Sequence, residues 1–223
     1  MKRTLILGAG TAGTAMAHKL RRQLDDDWEV AVVDPSTTHV YQPGLLFLPF
    51  GDETEPRIVR ERDATLGKGI VWYRTAVETI DTERRRVEVS DGDPLDYDIL
   101  IIASGTEIRP DMIEGMVDGG WRKSVFDFYS LDGAKALQGA LANFEGGRLV
   151  VNVVEMPIKC PVAPLEFTFL ADAYLTKRGI RDKTELLFVT PLDGAFTKPL
   201  ASKTLGYLLE DKGVQVETEF MTG

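Results

Sequence analysis

Cysteine is nearly absent from this chain, in which Cys160 is the only one among 223 residues. An internal disulfide is therefore excluded, and Cys160 is either a reactive thiol or a small buried apolar residue. Histidine is almost as scarce, with two residues. Because structural zinc usually takes four Cys or His ligands, the sequence suggests no metal site.

Long apolar runs and a basic excess are also missing. No stretch approaches the roughly 20 apolar residues that span a bilayer, so we expect any membrane association to be peripheral or to depend on residues outside this chain. The 35 acidic residues outnumber the 26 basic ones, for a net charge of −9, which argues against nucleic acid as a partner. The first strand pattern begins directly after Met1-Lys2-Arg3, which leaves no room for a secretory signal and predicts a cytoplasmic protein.

A glycine-rich turn near the N-terminus predicts a dinucleotide-binding site. It lies between a strand pattern and a helix pattern and reads Gly8-Ala9-Gly10-Thr11-Ala12-Gly13. Gly8 suits the tight turn, Gly10 lets the backbone approach a pyrophosphate, and Gly13 allows close helix packing. Asp34 ends the next strand about 20 residues later, where a carboxylate binds ribose hydroxyls. An ordinary glycine-rich turn does not explain the acid at this spacing.

The pattern along the chain predicts an α/β protein with a Rossmann-like dinucleotide-binding domain over 1–110 and a connector over 111–147. An antiparallel insertion at about 70–95 interrupts the first domain. The apolar strand that follows ends in Ala103-Ser104-Gly105, small residues that let the backbone approach a bound ligand. Such continuous apolar strands are typical of the centre of a parallel sheet.

A second, incomplete Rossmann-like domain is predicted over 148–223. Its strands are expected at 149–154, 185–189 and 214–220, and its helices at 164–177 and 203–212. A domain that binds NADH would place a second glycine turn after the first of these strands. The sequence there is Glu155-Met156-Pro157-Ile158-Lys159-Cys160-Pro161-Val162-Ala163-Pro164, so nicotinamide binding is not expected in this domain.

Cys160 lies in that loop, just before a helix start. Pro164 suits the first turn of the helix, and the helix amides favour an anion. Lys159 adds a positive charge, which favours a thiolate. A buried, inert cysteine is the alternative, since free cysteines are among the most buried residues.

These motifs together resemble the sulfide:quinone oxidoreductases, which share the flavin-dependent disulfide reductase fold. The resemblance runs along essentially the whole chain. It is carried by the glycine turn, the segments 34–36 and 39–43, Thr75-Ala76-Val77, the strand from Tyr97 to Gly105, and Pro157-Ile158-Lys159-Cys160-Pro161-Val162-Ala163-Pro164.

The resemblance implies an FAD held by the glycine turn, by Asp34 at the ribose, by Gln42 near the flavin and by the backbone of Val77 at the adenine. It also implies that Cys160 is the first of two cysteines that handle the sulfur of sulfide, which is oxidised to persulfide or polysulfane sulfur. The electrons pass to a membrane quinone, which implies a peripheral protein on the inner face of the membrane.

Two departures from the family pattern bear on this hypothesis. Some members carry a further cysteine in the connector, where this chain has Phe126-Asp127-Phe128-Tyr129-Ser130. The partner cysteine and the membrane-docking helices would lie beyond Gly223, so we expect this chain to be the N-terminal part of a longer enzyme. Three alternatives stay open: an NADH:quinone oxidoreductase, a flavocytochrome sulfide dehydrogenase, and a non-catalytic FAD-binding module. The oligomeric state is also open, a homo-oligomer included.

Overall fold

The chain forms two compact units in a computed structural model that describes residues 1–222. The first unit comprises Met1–Tyr41 and Glu55–Glu107. The second comprises Gln42–Thr54 and the chain from Ile108 onward. Each unit contains a parallel sheet, as the α/β prediction requires.

The strands and helices follow one another along the chain with short connections. The strands are β1 Lys2–Leu7, β2 Trp28–Val33, β3 Thr38–Val40, β4 Val59–Glu61, β5 Ile70–Tyr73, β6 Val77–Asp81, β7 Arg86–Val89, β8 Leu95–Asp96, β9 Ile99–Ile102, β10 Gly147–Asn152, β11 Thr184–Val189 and β12 Gln215–Glu217. The helices are α1 Thr11–Gln23, α2 Glu55–Ile58, α3 Arg62–Leu66, α4 Leu131–Ala142, α5 Ala163–Lys177 and α6 Pro199–Asp211. Short 3₁₀ helices span Gln42–Leu46, Leu48–Phe50, Pro110–Met112 and Arg181–Lys183.

The first unit is built on a parallel sheet in the order β5-β2-β1-β9. Successive residues of β1 face opposite sides of this sheet. Leu5 packs with Val87 and Leu95 of the antiparallel sheet β6-β7-β8, whereas Ile6 packs with Ala17 of α1. Both faces of the inner strands are therefore buried, which explains their continuous apolar sequence.

Two expectations about this sheet are wrong. The insertion predicted to begin at about 70 begins later, because β5 pairs in parallel with β2 and, within the predicted range, the antiparallel strands are β6, β7 and β8. The strand predicted to be central, β9, is the last strand of the sheet within residues 1–222, and Ile102 is 65% exposed. A short apolar run indicates that a strand can be buried. It does not show whether the strand pairs in parallel or antiparallel, or whether it has a neighbouring strand on one side or on both.

The second unit contains the parallel sheet β10-β11-β12. Its core joins Phe188 of β11 to Phe167 of α5 and Leu209 of α6. The predicted first domain, 1–110, includes 42–54, but Leu46 and Phe50 of this segment belong to the core of the second unit. These side chains pack with α4, the helix of the predicted connector 111–147, which is thus part of the second unit.

Candidate dinucleotide and thiol sites

The glycine turn of the first unit links β1 to α1 through close backbone contacts. Gly8 has a φ of +97°, and a Cβ on it would lie 2.5 Å from the carbonyl oxygen of Ala103. A Cβ on Gly13 would lie 1.9 Å from the carbonyl oxygen of Gly8. Both positions therefore require glycine, because the end of β9 and the first turn of α1 approach this turn too closely for a side chain.

Gly10 is different, because no atom of residues 1–222 comes close enough to require glycine there. Its φ of −67° suits any residue, and a Cβ would meet no atom within 4 Å. The open space lies at the start of α1, where the first amides, including those of Thr11 and Ala12, have no acceptor within the helix. Such an N-terminus binds phosphates, so the cradle fits a pyrophosphate that approaches Gly10.

The Asp34 carboxylate follows β2 and is bonded to the turn itself. The amide of Ala9 donates to Oδ2 at 2.7 Å, and the amide of Ser36 donates to Oδ1 at 2.8 Å. The side chain is 15% exposed. Each carboxylate oxygen can accept more than one hydrogen bond, so Asp34 can still accept from ribose hydroxyls.

Arg62 also belongs to this group, and the sequence analysis missed it. It begins α3 and is 3% exposed. Its guanidinium donates to the carbonyl oxygen of Ala9 and faces the Asp34 carboxylate. Burial lowers the pKa of Arg62, and the charge of Asp34 opposes that shift. The run from Arg57 to Arg62 reads as an exposed charged segment, and no sequence signal distinguishes its buried member.

The remaining predicted cofactor-binding residues lie in different places. Ala103 and Ser104 border the glycine turn, since a Cβ on Gly8 would lie within 3.0 Å of both, and Gly105 follows with a φ of +76°. Val77 lies on β6 and pairs with Val89 of β7. Gln42 lies in the second unit. The roles of Val77 at an adenine and of Gln42 near a flavin stay predictions.

The thiol of the second unit is exposed to solvent. Cys160 lies between β10 and α5, and its φ of +56° places its backbone in the left-handed region. Its carbonyl oxygen accepts a hydrogen bond from the amide of Ala163 at 3.0 Å, at the first turn of α5. The exposure contradicts the alternative of a buried cysteine, and the role of Cys160 in sulfur chemistry stays a prediction.

Lys159 and Gln42 are brought together beside this thiol. The Lys159 ammonium donates to the side-chain oxygen of Gln42, although 117 residues separate them in sequence. The lysine charge is therefore held at the loop that carries Cys160. The segment Gln42–Leu46 contributes to the thiol region through this contact.

Tyr129 is the second residue that the sequence analysis missed. Its hydroxyl is buried without a hydrogen-bond partner among the described residues. Burial raises the pKa of Tyr129 to about 12, and the charge of Cys160 acts in the same direction. The amide of Tyr129 donates to Asp127 at 3.0 Å, and its ring stacks on Phe128 with centroids 4.9 Å apart.

Residues 1–222 contain no group of three or more His, Cys, Asp or Glu side chains arranged to hold a metal ion. None of the helices formed by these residues combines the length and apolar character that crossing a membrane requires.

A parallel sheet with a glycine turn, an open helix N-terminus and an acid after the second strand defines a dinucleotide-binding protein. The model of the pyridine nucleotide-disulphide oxidoreductase family matches residues 2–154, and the chain belongs to this family. The predicted Rossmann-like fold class is thereby confirmed.

Individual relatives confirm the predicted resemblance. The mitochondrial sulfide:quinone oxidoreductase of Mus musculus is 27% identical over 212 residues, which are 95% of this chain and 47% of the relative. An NADH dehydrogenase-like protein of Mycobacterium tuberculosis is 30% identical over 162 residues, which are 67% of this chain and 36% of the relative.

A solved structure supports the same fold. The sulfide:quinone oxidoreductase of Aquifex aeolicus superimposes with a TM-score of 0.86 at 22% identity, over 99% of this chain and 52% of that one. This likeness concerns the fold. The chain spans about half the length of the curated mitochondrial sulfide:quinone oxidoreductases of Mus musculus and Dictyostelium discoideum.

Proposed function

We propose that the protein containing this chain is an FAD-dependent sulfide:quinone oxidoreductase in which Cys160 handles sulfur. The observation that carries the proposal is the exposed thiol at the start of α5. It occupies the place where a nicotinamide-binding domain would have its glycine turn. The similarity to sulfide:quinone oxidoreductases over 95% of the chain supports the same assignment.

The residues of the first unit fit FAD. The open space at Gly10 and the free amides of α1 would receive the pyrophosphate, and Asp34 would bind the adenosine ribose. Val77, Ala103, Ser104 and Gly105 would contribute backbone contacts. When bound, FAD supplies an acceptor for two electrons.

Cys160 would bond its sulfur to that of sulfide. Forming this persulfide bond from a thiol and hydrogen sulfide releases two protons and two electrons, and a membrane quinone is the final electron acceptor. Helix α5 begins three residues after Cys160, and the N-terminus of a helix attracts negatively charged ligands. The Tyr129 hydroxyl keeps its proton at neutral pH and is a candidate hydrogen-bond donor at this site.

Because its electron acceptor is a membrane quinone, the proposed enzyme would act at a membrane. We propose peripheral attachment on the inner, cytoplasmic face, through parts of the protein other than the helices described here. No apolar helix of residues 1–222 is long enough to cross the bilayer, so the attachment need not involve insertion of these elements.

An NADH:quinone oxidoreductase is the second candidate. The similarity to the NADH dehydrogenase-like protein of Mycobacterium tuberculosis favours it. The loop from 153 to 162 opposes it, because that loop contains no glycine to admit a second pyrophosphate.

Anaerobic visible spectra test the proposal. The FAD-loaded protein is mixed with sulfide and, separately, with NADH, and the flavin band is recorded. We expect sulfide to bleach the band and NADH to leave it unchanged. Cys160→Ser should abolish the response to sulfide, whereas Val162→Ser, a change at an exposed position of the same loop, should preserve it. Bleaching by NADH alone would favour the second candidate.

A further inference from the structure

Arg62 is a buried cation at the rear of the glycine turn. Only 3% of its surface is exposed, so its guanidinium has lost most of its hydration. The free energy of this desolvation must be offset by hydrogen bonds and by an opposite charge. The compensation comes from three backbone carbonyls and one carboxylate. Its donors reach the carbonyl oxygens of Thr38 at 2.7 Å, Ser36 at 3.2 Å and Ala9, and its Nη2 lies 3.4 Å from Oδ1 of Asp34.

The local fold brings Arg62 to this position. The antiparallel pair β3–β4 returns the chain to the end of β2, and the amide of Arg62 donates to the carbonyl oxygen of Thr37 at 2.7 Å. His39 lies on β3, and its Nδ1 is 3.4 Å from Nη1 of Arg62 and 3.2 Å from the carbonyl oxygen of Ala9. The guanidinium therefore ties the glycine turn to the loop after β2.

The Asp34 carboxylate is held from two sides as a result. The amide of Ala9 fixes Oδ2, while the amide of Ser36 and the guanidinium of Arg62 face Oδ1. Arg62 also donates to Ala9 and Ser36 through their carbonyl oxygens. The cation thus orients the carboxylate directly and also positions both amides that bind it.

We propose that Arg62 is a positioning residue for dinucleotide binding, which holds Asp34 and the glycine turn in the geometry that receives the adenosine ribose. The inference rests on the FAD site of the proposed function, but it does not involve Cys160 or sulfide. A charge-assisted contact contributes about 1.5–3 kcal/mol, so its loss should weaken binding by roughly tenfold to a hundredfold.

Equilibrium titration of the flavin-free protein with FAD tests the inference. We expect Arg62→Met to raise the dissociation constant of FAD by about tenfold or more, and Arg62→Lys, which keeps the charge but not the planar fork, to have an intermediate effect. Arg60→Met is the matched control, because Arg60 is exposed on the adjacent strand β4 and donates to the carbonyls of Pro56 and Val59.

A double-mutant cycle distinguishes positioning from a purely structural role. If Arg62 acts through Asp34, Arg62→Met should cost much less FAD affinity in the Asp34→Asn background than in the wild type. Fully additive losses would overturn the proposal, as would an Arg62→Met variant that binds like the wild type. Should Arg62→Met fail to fold, the same cycle is measured with Arg62→Lys.

ADP serves as a second probe, since it presents the adenosine ribose and a pyrophosphate without the flavin. We expect Arg62→Met to raise the dissociation constants of ADP and FAD by similar factors. If the wild type binds neither FAD nor ADP, the dinucleotide site of the proposed function fails and this inference with it. If the wild type binds both and only the variants contradict the expectation, the inference about Arg62 fails alone.

Discussion

Gly10 and Gly13 occur in one turn but are constrained by different neighbours. Gly13 faces backbone, whereas Gly10 faces open space. The sequence alone predicted both as dinucleotide-binding positions, because the need for glycine in this turn is local and has a fixed spacing. Only the structure separates the glycine that the fold requires from the one that a ligand would require.

Alanine substitutions should reveal this difference. Gly13→Ala should destabilise the flavin-free protein by about 1–3 kcal/mol, because its methyl group overlaps the carbonyl of Gly8. Gly10→Ala should leave stability within about 0.5 kcal/mol of the wild type yet weaken FAD binding by roughly tenfold or more. Denaturant unfolding and FAD titration measure the two effects. Gly139→Ala, at an open position of α4, is the control and should not reduce FAD binding.

Tyr129 should ionise only in strongly alkaline solution. Its buried hydroxyl has a pKa of about 12, above the ordinary value near 10. Because the unfolded chain releases this proton first, the contribution of Tyr129 to stability falls as pH rises from about 10 to about 12.

Absorbance near 295 nm after rapid pH jumps, taken as wild type minus Tyr129→Phe, measures this ionisation. We expect a midpoint near 12, and a midpoint near 10 would contradict the burial argument. The same difference for Tyr207→Phe, a tyrosine with 56% exposure, provides the reference for an exposed phenol.

Arg62 and Tyr129 show why part of each site could not be read from the sequence. Neither lies in a motif with fixed spacing. Arg62 sits in a charged run, and Tyr129 in an aromatic run that resembles core. The Arg62 guanidinium and the Tyr129 hydroxyl are buried by segments that lie far away in the sequence. A local sequence pattern therefore cannot predict their burial.

Helix α5 is tied to α6 by a charge cluster on Asp172. Oδ1 accepts from Arg181 at 2.8 Å and Oδ2 from Lys212, just after α6, at 2.7 Å. Burial alone would raise the pKa of Asp172, but the hydrogen bonds and charges of Lys212 and Arg181 together outweigh it, so the pKa is lowered. The cluster therefore stabilises the fold above the ordinary carboxyl range, and its contribution is lost as pH falls through the lowered pKa.

Asp172→Asn should accordingly destabilise the protein by about 1–3 kcal/mol at pH 7, with a smaller difference from the wild type in acid. Urea unfolding at pH 7 and near pH 3 measures it. Asp182→Asn, at an exposed site in the neighbouring 3₁₀ helix, should have little effect at either pH. An equal loss for the two variants would show that the Asp172 cluster is not responsible.

Elements differ in how well sequence anticipated them. Helix α5 begins and ends within about one residue of the expected range 164–177, since apolar spacing reveals a helix of this length. Strand β5 was assigned to the antiparallel insertion although it pairs with β2. Helix α6 begins at Pro199, four residues before the expected start. The pattern thus locates elements well, while their pairing and ends depend on tertiary contacts.

At the scale of the whole molecule, the chain contains two parallel sheets but only one glycine turn of the dinucleotide-binding type within residues 1–222. We therefore expect each chain to bind one dinucleotide. Isothermal titration should give one FAD per chain and no saturable binding of NADH to the FAD-loaded protein. A second nucleotide per chain, or saturable binding of NADH to the FAD-loaded protein, would contradict the prediction that the loop after β10 binds no nicotinamide nucleotide.

Neither unit is continuous in sequence, because Gln42–Thr54 belongs to the second unit while the residues on both sides belong to the first. During synthesis Leu46 and Phe50 leave the ribosome long before their partners on α4 and α5. At a synthesis rate of about 5–20 residues per second, this apolar segment stays without its packing partners for roughly 5–20 seconds. Co-translational folding of the first unit must therefore proceed around an unpaired apolar loop, which is a natural site for chaperone binding on the nascent chain.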